Sequence, residues 1–296
     1  MKKKVTLIVS VLLVAVLAVT MFASCGTKDP AQTNADPEKK ADVVKVIDID
    51  LTQEEYAFGV DKAQPELLEK VNAFIEKIMS DGTFDEICDH YFGDGEPVMV
   101  ESAEKDDSKD QLVVATSAGF EPFEYTSGKS YTGIDMEIAK LLADELGKEL
   151  VVDNMDFDAV CLSVGQHKCD IAMAGLTVKE ERKEFVTFSN TYYKASQKVI
   201  VKTDDTTFDA CTDAASVLAI LQSFDDTVKV GYQNGTTGSM YVENVSDYAE
   251  NNLKVTGKGY KNGSLAVQDL VNGNISYVII DSAPANCITA AINAVA

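Results

Sequence analysis

The sequence predicts an α/β protein of two lobes, each a sheet flanked by helices. Runs with strand patterning alternate with stretches whose apolar residues recur every three or four positions, as successive strand and helix units require. The chain has 296 residues, 46% hydrophobic and 25% charged, which at roughly 150 residues per domain is material for two lobes. Polar stretches at 26–42 and 94–110 interrupt the pattern and read as linkers.

The elements follow in order. Lys2 to Lys4 precede an apolar run at 5–19, and Phe22-Ala23-Ser24 are followed by Cys25, so residues 1–24 read as an export signal. An uncleaved anchor is the alternative, because the run is near the ~18 residues a membrane span needs. Either way the protein lies outside the cytoplasm. Residues 25–42 lack apolar periodicity and form a flexible tether. Residues 43–50 alternate apolar and acidic side chains like a strand. Pro65 opens a helix carrying Leu67, Leu68, Val71, Phe74, Ile75 and Ile78, and Thr83 caps a shorter one with Phe84, Ile87, Cys88 and Tyr91. Beyond the second linker, a strand at 112–115 leads to a helix with Ile134, Ile138, Leu141, Leu142 and Leu146, stopped by Gly147. Strands are expected at 149–153, 170–174, 197–202, 227–232, 253–256 and 276–280, with helices between. This alternation predicts largely parallel sheets with ligand chemistry at the strand C-termini.

Charge and cysteine content exclude several functions. A net charge of −22 repels phosphate backbones, so no nucleic acid partner is expected. After Cys25 there remain Cys88, Cys161, Cys169, Cys211 and Cys287, without CxxC spacing. His90 and His167 are the only histidines, so neither a zinc site nor another cofactor is expected. Cys161 and Cys169 could pair if a helix end meets the next strand; buried free thiols acting as small hydrophobes are the preferred reading.

Several blocks carry a family resemblance: FEPFEY, YTGIDMEIAKLLADELGKELVVDNMDFDAV, CDIAMAGLTVKEERKEFVTFSNTYYKASQ, GYQNGTTGSMY and AVQDLVNGNISYVIIDSAP. In this order they resemble the polar amino acid-binding proteins that serve ABC importers, the extracellular solute-binding proteins of family 3. The resemblance implies a periplasmic binding protein-like class II fold, two Rossmann-like α/β lobes joined by two hinge strands. Residues 51–93 resemble the family's closing segment, yet they precede the opening segment at 112–125, so the chain is expected to be circularly permuted. Lobe 2 with its hinge crossing is then 43–59 and 199–296, and lobe 1 with its crossing is 60–93 and 112–198. Residues 94–111 join the family's usual C- and N-termini. The crossings are expected at 53–59 and 192–197, and the new termini lie in lobe 2. A linker of about 17 residues spans some 30 Å even as loose coil, so closure within a monomer is expected over a domain-swapped dimer.

The resemblance also implies roles. Cys25 resembles a lipobox cysteine that carries a lipid anchor at the outer face of the cell membrane, although Phe22 departs from the usual aliphatic residue. Arg182 resembles the family arginine that grips the ligand α-carboxylate, a task suited to a planar fork of paired donors. Thr177 adds a hydroxyl and a backbone N–H, and the Gly175 carbonyl accepts from the ammonium. Taken without the motif, Arg182 reads as a surface ion-pair residue. Gly235-Thr236-Thr237-Gly238 follows a strand and opens a helix, so Thr236, Thr237 and Gly238 present N–H groups to an anion; the alternative is a capped glycine turn. Asp281 resembles the aspartate that accepts the ammonium, with a helix cap as its alternative role. Phe120 and Phe157 stand where relatives place aromatic walls. Ser117 stands where relatives that bind basic side chains often carry an acid, which weakens the case for a basic ligand.

The expected function is capture of a free amino acid and delivery to the permease subunits of an ABC importer, without catalysis. An extracellular sensor domain and an enzyme resembling cyclohexadienyl dehydratase are the alternatives.

Overall fold

The computed structural model describes residues 41–296. The export signal, Cys25 and nearly all of the tether lie outside them. In chain order the elements are β1 (Val44–Ile47), β2 (Glu54–Asp61), α1 (Pro65–Asp81), α2 (Thr83–Phe92), β3 (Gln111–Thr116), β4 (Tyr125–Ser127), β5 (Ser130–Thr132), α3 (Ile134–Leu146), β6 (Glu149–Asn154), α4 (Phe157–Gly165), β7 (Ile171–Ala172) and β8 (Val186–Ala195). There follow β9 (Gln197–Lys202), α5 (Ala214–Ser223), β10 (Lys229–Gln233), α6 (Thr237–Glu243), β11 (Thr256–Tyr260), α7 (Gly263–Val271), β12 (Tyr277–Asp281) and α8 (Ser282–Val295). Single 3-10 turns cover Arg182–Glu184 and Ser246–Asn251.

Two five-stranded sheets organise the chain, in the orders β6-β3-β7-β2-β8 and β1-β9-β12-β10-β11. The sheets are mixed rather than largely parallel. β3 runs parallel to β6 and β7, and β10 to β11 and β12. β2 is antiparallel to β7 and β8, and β9 to β1 and β12. The antiparallel strands are those that pass directly from one sheet to the other. A parallel neighbour needs a crossover helix, whereas a chain that leaves one sheet and returns does not.

The crossings are short. β8 ends at Ala195 and β9 begins at Gln197, so Ser196 alone separates the sheets. The second crossing, expected at 53–59, falls earlier, because β2 pairs with β8 from Glu54 onward and lies wholly in that sheet. The two crossings are tied together: Leu51 N donates to Gln197 O at 2.9 Å, Gln197 N to Thr52 Oγ1 at 2.9 Å, and Ser196 Oγ to Asp50 Oδ1 at 2.6 Å.

Residues 94–110 are not loose coil. Val100 is buried and exchanges both backbone hydrogen bonds with Tyr131, at 2.7 and 2.9 Å. Ala103 N donates to Leu150 O, and Ser102 Oγ accepts from Val152 N, at 2.8 and 2.9 Å. One buried valine and an edge of unpaired backbone are enough to turn a polar segment into an ordered strap.

The strand expected at 253–256 forms at Thr256–Tyr260 instead. Asn252 adopts φ 50°, and Leu253 turns into the core with its N–H on Asn244 Oδ1 at 2.6 Å. The edge strand is carried by backbone pairing rather than apolar alternation. A Cβ at Gly257 would fall 2.0 Å from Glu243 Oε1.

The five cysteines among the described residues are free. Cys169 Sγ lies 3.7 Å from Ser163 Oγ and 3.6 Å from Asp153 Oδ2. The described ends of the chain meet: Asn293 Oδ1 accepts from Val43 N at 2.9 Å and its Nδ2 donates to Val44 O at 2.9 Å, seating α8 against β1. Among the described residues no helix is long and apolar enough to cross a membrane.

Candidate functional site

The two sheets face each other across a polar cleft built from strand ends and the crossings. Thr177 follows β7 after a turn through Gly175, whose φ is 53°. A side chain there would be strained, and its Cβ would fall 2.9 Å from the Phe120 ring. Gly175 N donates to Asp135 Oδ2 at 2.8 Å, and Tyr192 Oη donates to the other oxygen of that carboxylate at 2.6 Å.

Arg182 is 7% exposed and forms no ion pair among the described residues, which removes the surface ion-pair reading. Its Nη1 donates to Thr177 O at 2.7 Å and its Nη2 to Gly235 O, in the facing lobe, at 3.2 Å. The guanidinium carbon stands 5.1 Å from the centre of the Phe157 ring. The Thr237 hydroxyl meets that of Thr177 at 3.2 Å, and Thr177 Oγ1 donates to Glu54 Oε2 at 2.7 Å. Thr236 is used locally: its hydroxyl donates to Gln233 O at 2.8 Å and accepts from Ser239 N, capping α6.

Asp281 occupies the N-cap position of α8, yet its side chain makes no capping bond. It accepts instead from Tyr56 Oη at 2.5 Å. Burial, then the nearby charge of Glu54, pushes its carboxyl above the usual range, and the hydrogen bonds from Tyr56 and Gln197 oppose that shift. Behind it, Glu124 is fully buried with neither oxygen hydrogen-bonded, and burial first, then Asp135 and Asp281, raises its pKa strongly. Asp135 is raised to about 7 by burial, against the hydrogen bonds from Gly175 and Tyr192.

The structure thus brings Arg182, Thr177, Thr237 and Phe157 together, with Gly235 alongside, and links them to Asp281 through Glu54, Gln197 and Tyr56. Phe120 is buried against Gly175 and Phe123, with ring centres 6.0 Å apart in the aromatic pair. Ser117 is buried one residue beyond β3 and makes no hydrogen bond to Arg182, Thr177 or Asp281. Gly238 opens α6 against Ile279 O and Gln197 Oε1.

Glu54, Tyr56, Gln197 and Lys179 are cleft residues that sequence reasoning missed. The first three lie on or beside the expected crossings, where a buried acid two positions from a tyrosine in an apolar strand was the available signal. Lys179 is 7% exposed and reaches across to Asp247 Oδ2 at 2.7 Å, with its ammonium 4.7 Å from the Tyr248 ring centre. At the other rim Lys261 meets Asp156 at 2.9 Å. A groove of about 1100 Å³ runs along the crossings past Thr52, Lys194, Ser196 and Cys287 rather than beside Arg182. At Arg182 the lobes are in direct contact.

Two α/β lobes, paired crossings and a polar cleft across which Arg182 of one lobe reaches Gly235 of the other define a two-lobed solute-binding protein of the periplasmic class II type. The chain belongs to the bacterial extracellular solute-binding proteins, family 3, whose model matches residues 112–281. It is 38% identical over 96 residues to the arginine-binding extracellular protein ArtP of Bacillus subtilis, covering 32% of this chain and 38% of that one. It is 29% identical to the arginine-binding periplasmic protein of Mannheimia haemolytica, covering 58% of this chain and 63% of that one. The solved holo ArgBP from T. maritima superposes with a TM-score of 0.52 at 32% identity, covering 62% of this chain and 74% of that one. Cyclohexadienyl dehydratase of Pseudomonas aeruginosa is 34% identical over 84 residues, 28% of this chain and 31% of that enzyme. The chain spans less than two thirds of the length of the arginine-binding relatives it matches.

Proposed function

We propose that this chain is a circularly permuted, extracytoplasmic amino acid receptor that hands its ligand to the permease subunits of an ABC importer. Arg182 grips the α-carboxylate with support from the Thr177 and Thr237 hydroxyls and the backbone of Thr236 and Gly238. Asp281 and the Gly175 carbonyl take the α-ammonium. Phe157 and Phe120 wall the side chain, with Ser117 nearby. The observation that carries this reading is the convergence of Arg182 from one lobe and Asp281 from the other on one buried cleft, with no counterion on Arg182 among the described residues. An anion gives that guanidinium the partner it lacks, and an ammonium does the same for the aspartate.

The relatives named for arginine make L-arginine the first ligand to test. Aromatic faces at Phe157 and Phe120 favour a cationic side chain by about 0.5–2 kcal/mol. Permutation is supported by β2, which lies in one sheet with β3, β7 and β8, and by β1, which completes the other sheet beside α8. Lobe 1 comprises β2, 60–93 and 112–195, and lobe 2 comprises 43–53 and 197–296, with Ser196 between them. In this account Cys25 carries the lipid anchor and the protein acts as a monomer.

A dehydratase-like enzyme is the second reading, favoured by the partial match to cyclohexadienyl dehydratase. One experiment separates them. The purified protein is exposed to an amino acid mixture, washed, denatured, and its released ligand identified by mass spectrometry. An intact amino acid supports the receptor; a transformed carboxylate supports the enzyme; an empty eluate refutes both.

A further inference from the structure

Glu54 opens β2 just beyond the first crossing and is buried. Donors occupy both of its carboxyl oxygens. Oε1 accepts from the Thr52 hydroxyl at 2.6 Å and from Gln197 Nε2 at 3.2 Å, and Oε2 accepts from the Thr177 hydroxyl at 2.7 Å. Thr52 stands in the first crossing, and its hydroxyl also accepts at 2.9 Å from the backbone N–H of Gln197, which opens β9 beyond the second crossing. Glu54 therefore fastens both crossings to one hydroxyl of the candidate site.

The backbone holds this contact from either side. Ala57 N donates to Leu176 O and Val178 N to Glu55 O, each at 3.0 Å, so the segment 176–178 is pinned alongside β2 with Tyr56 opposite Thr177. Neither bond uses the Thr177 N–H. The Thr177 hydroxyl is buried between the two lobes rather than free to turn into solvent.

Proton bookkeeping then fixes what this hydroxyl offers. A hydroxyl has one proton and two lone pairs. The Thr177 proton goes to Glu54, so toward the cleft the oxygen can only accept. In the structure it accepts from the Thr237 hydroxyl of the facing lobe at 3.2 Å. A ligand group that takes that place must bring a hydrogen of its own. An α-ammonium brings three, whereas an α-keto oxygen brings none and meets a lone pair.

We propose that Glu54 is a positioning residue for ligand selection: it draws the Thr177 hydroxyl proton away from the cleft, so that the site offers a lone pair where an amino acid has an N–H and an α-keto acid has none. This inference rests on the reading of the cleft as an amino acid site and narrows it. The Thr177 hydroxyl is assigned to the ammonium, and the carboxylate keeps Arg182, Thr237 and the backbone N–H groups.

Glu54→Gln is the deciding variant, because it keeps the shape of the side chain. Its amide oxygen belongs where Thr52 and Gln197 both donate, which turns the amide N–H groups onto Thr177 and sends the Thr177 proton into the cleft. Dissociation constants of L-arginine and of its α-keto analogue are measured by calorimetry on the wild type and on Glu54→Gln. The wild type should prefer the amino acid, and Glu54→Gln should narrow that preference by about tenfold or more, weakening L-arginine while leaving or tightening the keto acid. A carboxyl with a merely structural role weakens both ligands alike; an unchanged preference overturns the proposal. If Glu54→Gln fails to fold, Thr177→Ser and Thr177→Val replace it. Serine keeps the hydroxyl and should hold the preference, valine should narrow it, and equal ratios in the two overturn the proposal. Failure of the wild type to bind L-arginine or L-glutamine would count against the reading of the cleft itself, and urea unfolding without ligand then decides this inference. Glu54→Gln and Thr177→Val should combine non-additively, because they act on one hydrogen bond. Additive shifts overturn the proposal irrespective of ligand.

Discussion

Tyr56 Oη lies 2.5 Å from Asp281 Oδ1, so a strand near the start of the described chain closes the cleft against a residue near its end. Tyr56 belongs to the sheet of β3 and β8, and Asp281 to the sheet of β9 and β10. The bond therefore joins the lobes at the carboxylate assigned to the ligand ammonium. A hydrogen bond to a charged group contributes about 1.5–3 kcal/mol. Tyr56→Phe should weaken amino acid binding by roughly tenfold or more, read as the dissociation constant by calorimetry, while far-ultraviolet circular dichroism stays unchanged.

Proximity of the described ends makes the permutation testable. Val43 N and Asn293 Oδ1 are 2.9 Å apart. A variant that begins at Gln111 and carries residues 43–93 behind Ala296 through a short linker should fold to the same secondary structure and bind the same ligand. Failure of that variant to fold, with the parent chain folded under the same conditions, would contradict the permuted account.

Buried carboxyl groups give the fold a distinctive pH response. Asp135, raised to about 7 by burial, keeps its proton in the fold after the unfolded chain, with a pKa of about 3.9, has lost it. Between those values the folded state binds more protons, so stability is highest near the unfolded pKa and falls as pH rises through the folded one. The decline is expected at about 1.4 kcal/mol per pH unit for a single such group. Urea midpoints between about pH 5 and about pH 7 should decrease, and Asp135→Asn should flatten that decrease.

Much of this architecture was legible in the residues. Helices with Leu67, Val71, Phe74 and Ile78, or with Ile134, Ile138 and Leu142, bury one face, and that face declares itself at helical spacing. Arg182, Thr177, Gly175 and Asp281 were named as candidates because the blocks that hold them resemble those of a known family. Glu54 and Gln197 were not, since a crossing strand has no periodicity to mark which side faces a cleft. The strap at 94–110 was hidden by its charged composition, because its order comes from Val100 and from backbone partners over 30 residues away in sequence. The strand at Thr256–Tyr260 was hidden by its glycines, which pair through the backbone and show no alternation.

The Lys179 latch predicts a kinetic effect. Its ammonium bridges to Asp247 at 2.7 Å and lies over Tyr248, yet Asp247 is largely exposed, so the pair contributes about 1 kcal/mol or less. Lys179→Ala should speed ligand release severalfold in stopped-flow displacement, with little change in association. An unchanged release rate would show that the rim contact does not hold the lobes together.

Arginine-to-lysine exchange at position 182 separates charge from geometry. Lysine keeps the positive charge and loses the planar fork that reaches Thr177 and Gly235 together. Binding by Arg182→Lys should fall well below the wild type while remaining above Arg182→Ala.

The central claim is that one cleft holds an amino acid between Arg182 and Asp281. It is tested most directly by thermal unfolding of the wild type and Arg182→Ala with each L-amino acid in turn. The account predicts that at least one stabilises the wild type, by about 2.7 kcal/mol at a hundred times its dissociation constant, and that Arg182→Ala shows no shift. No shift with any amino acid, or an equal shift in Arg182→Ala, would contradict it.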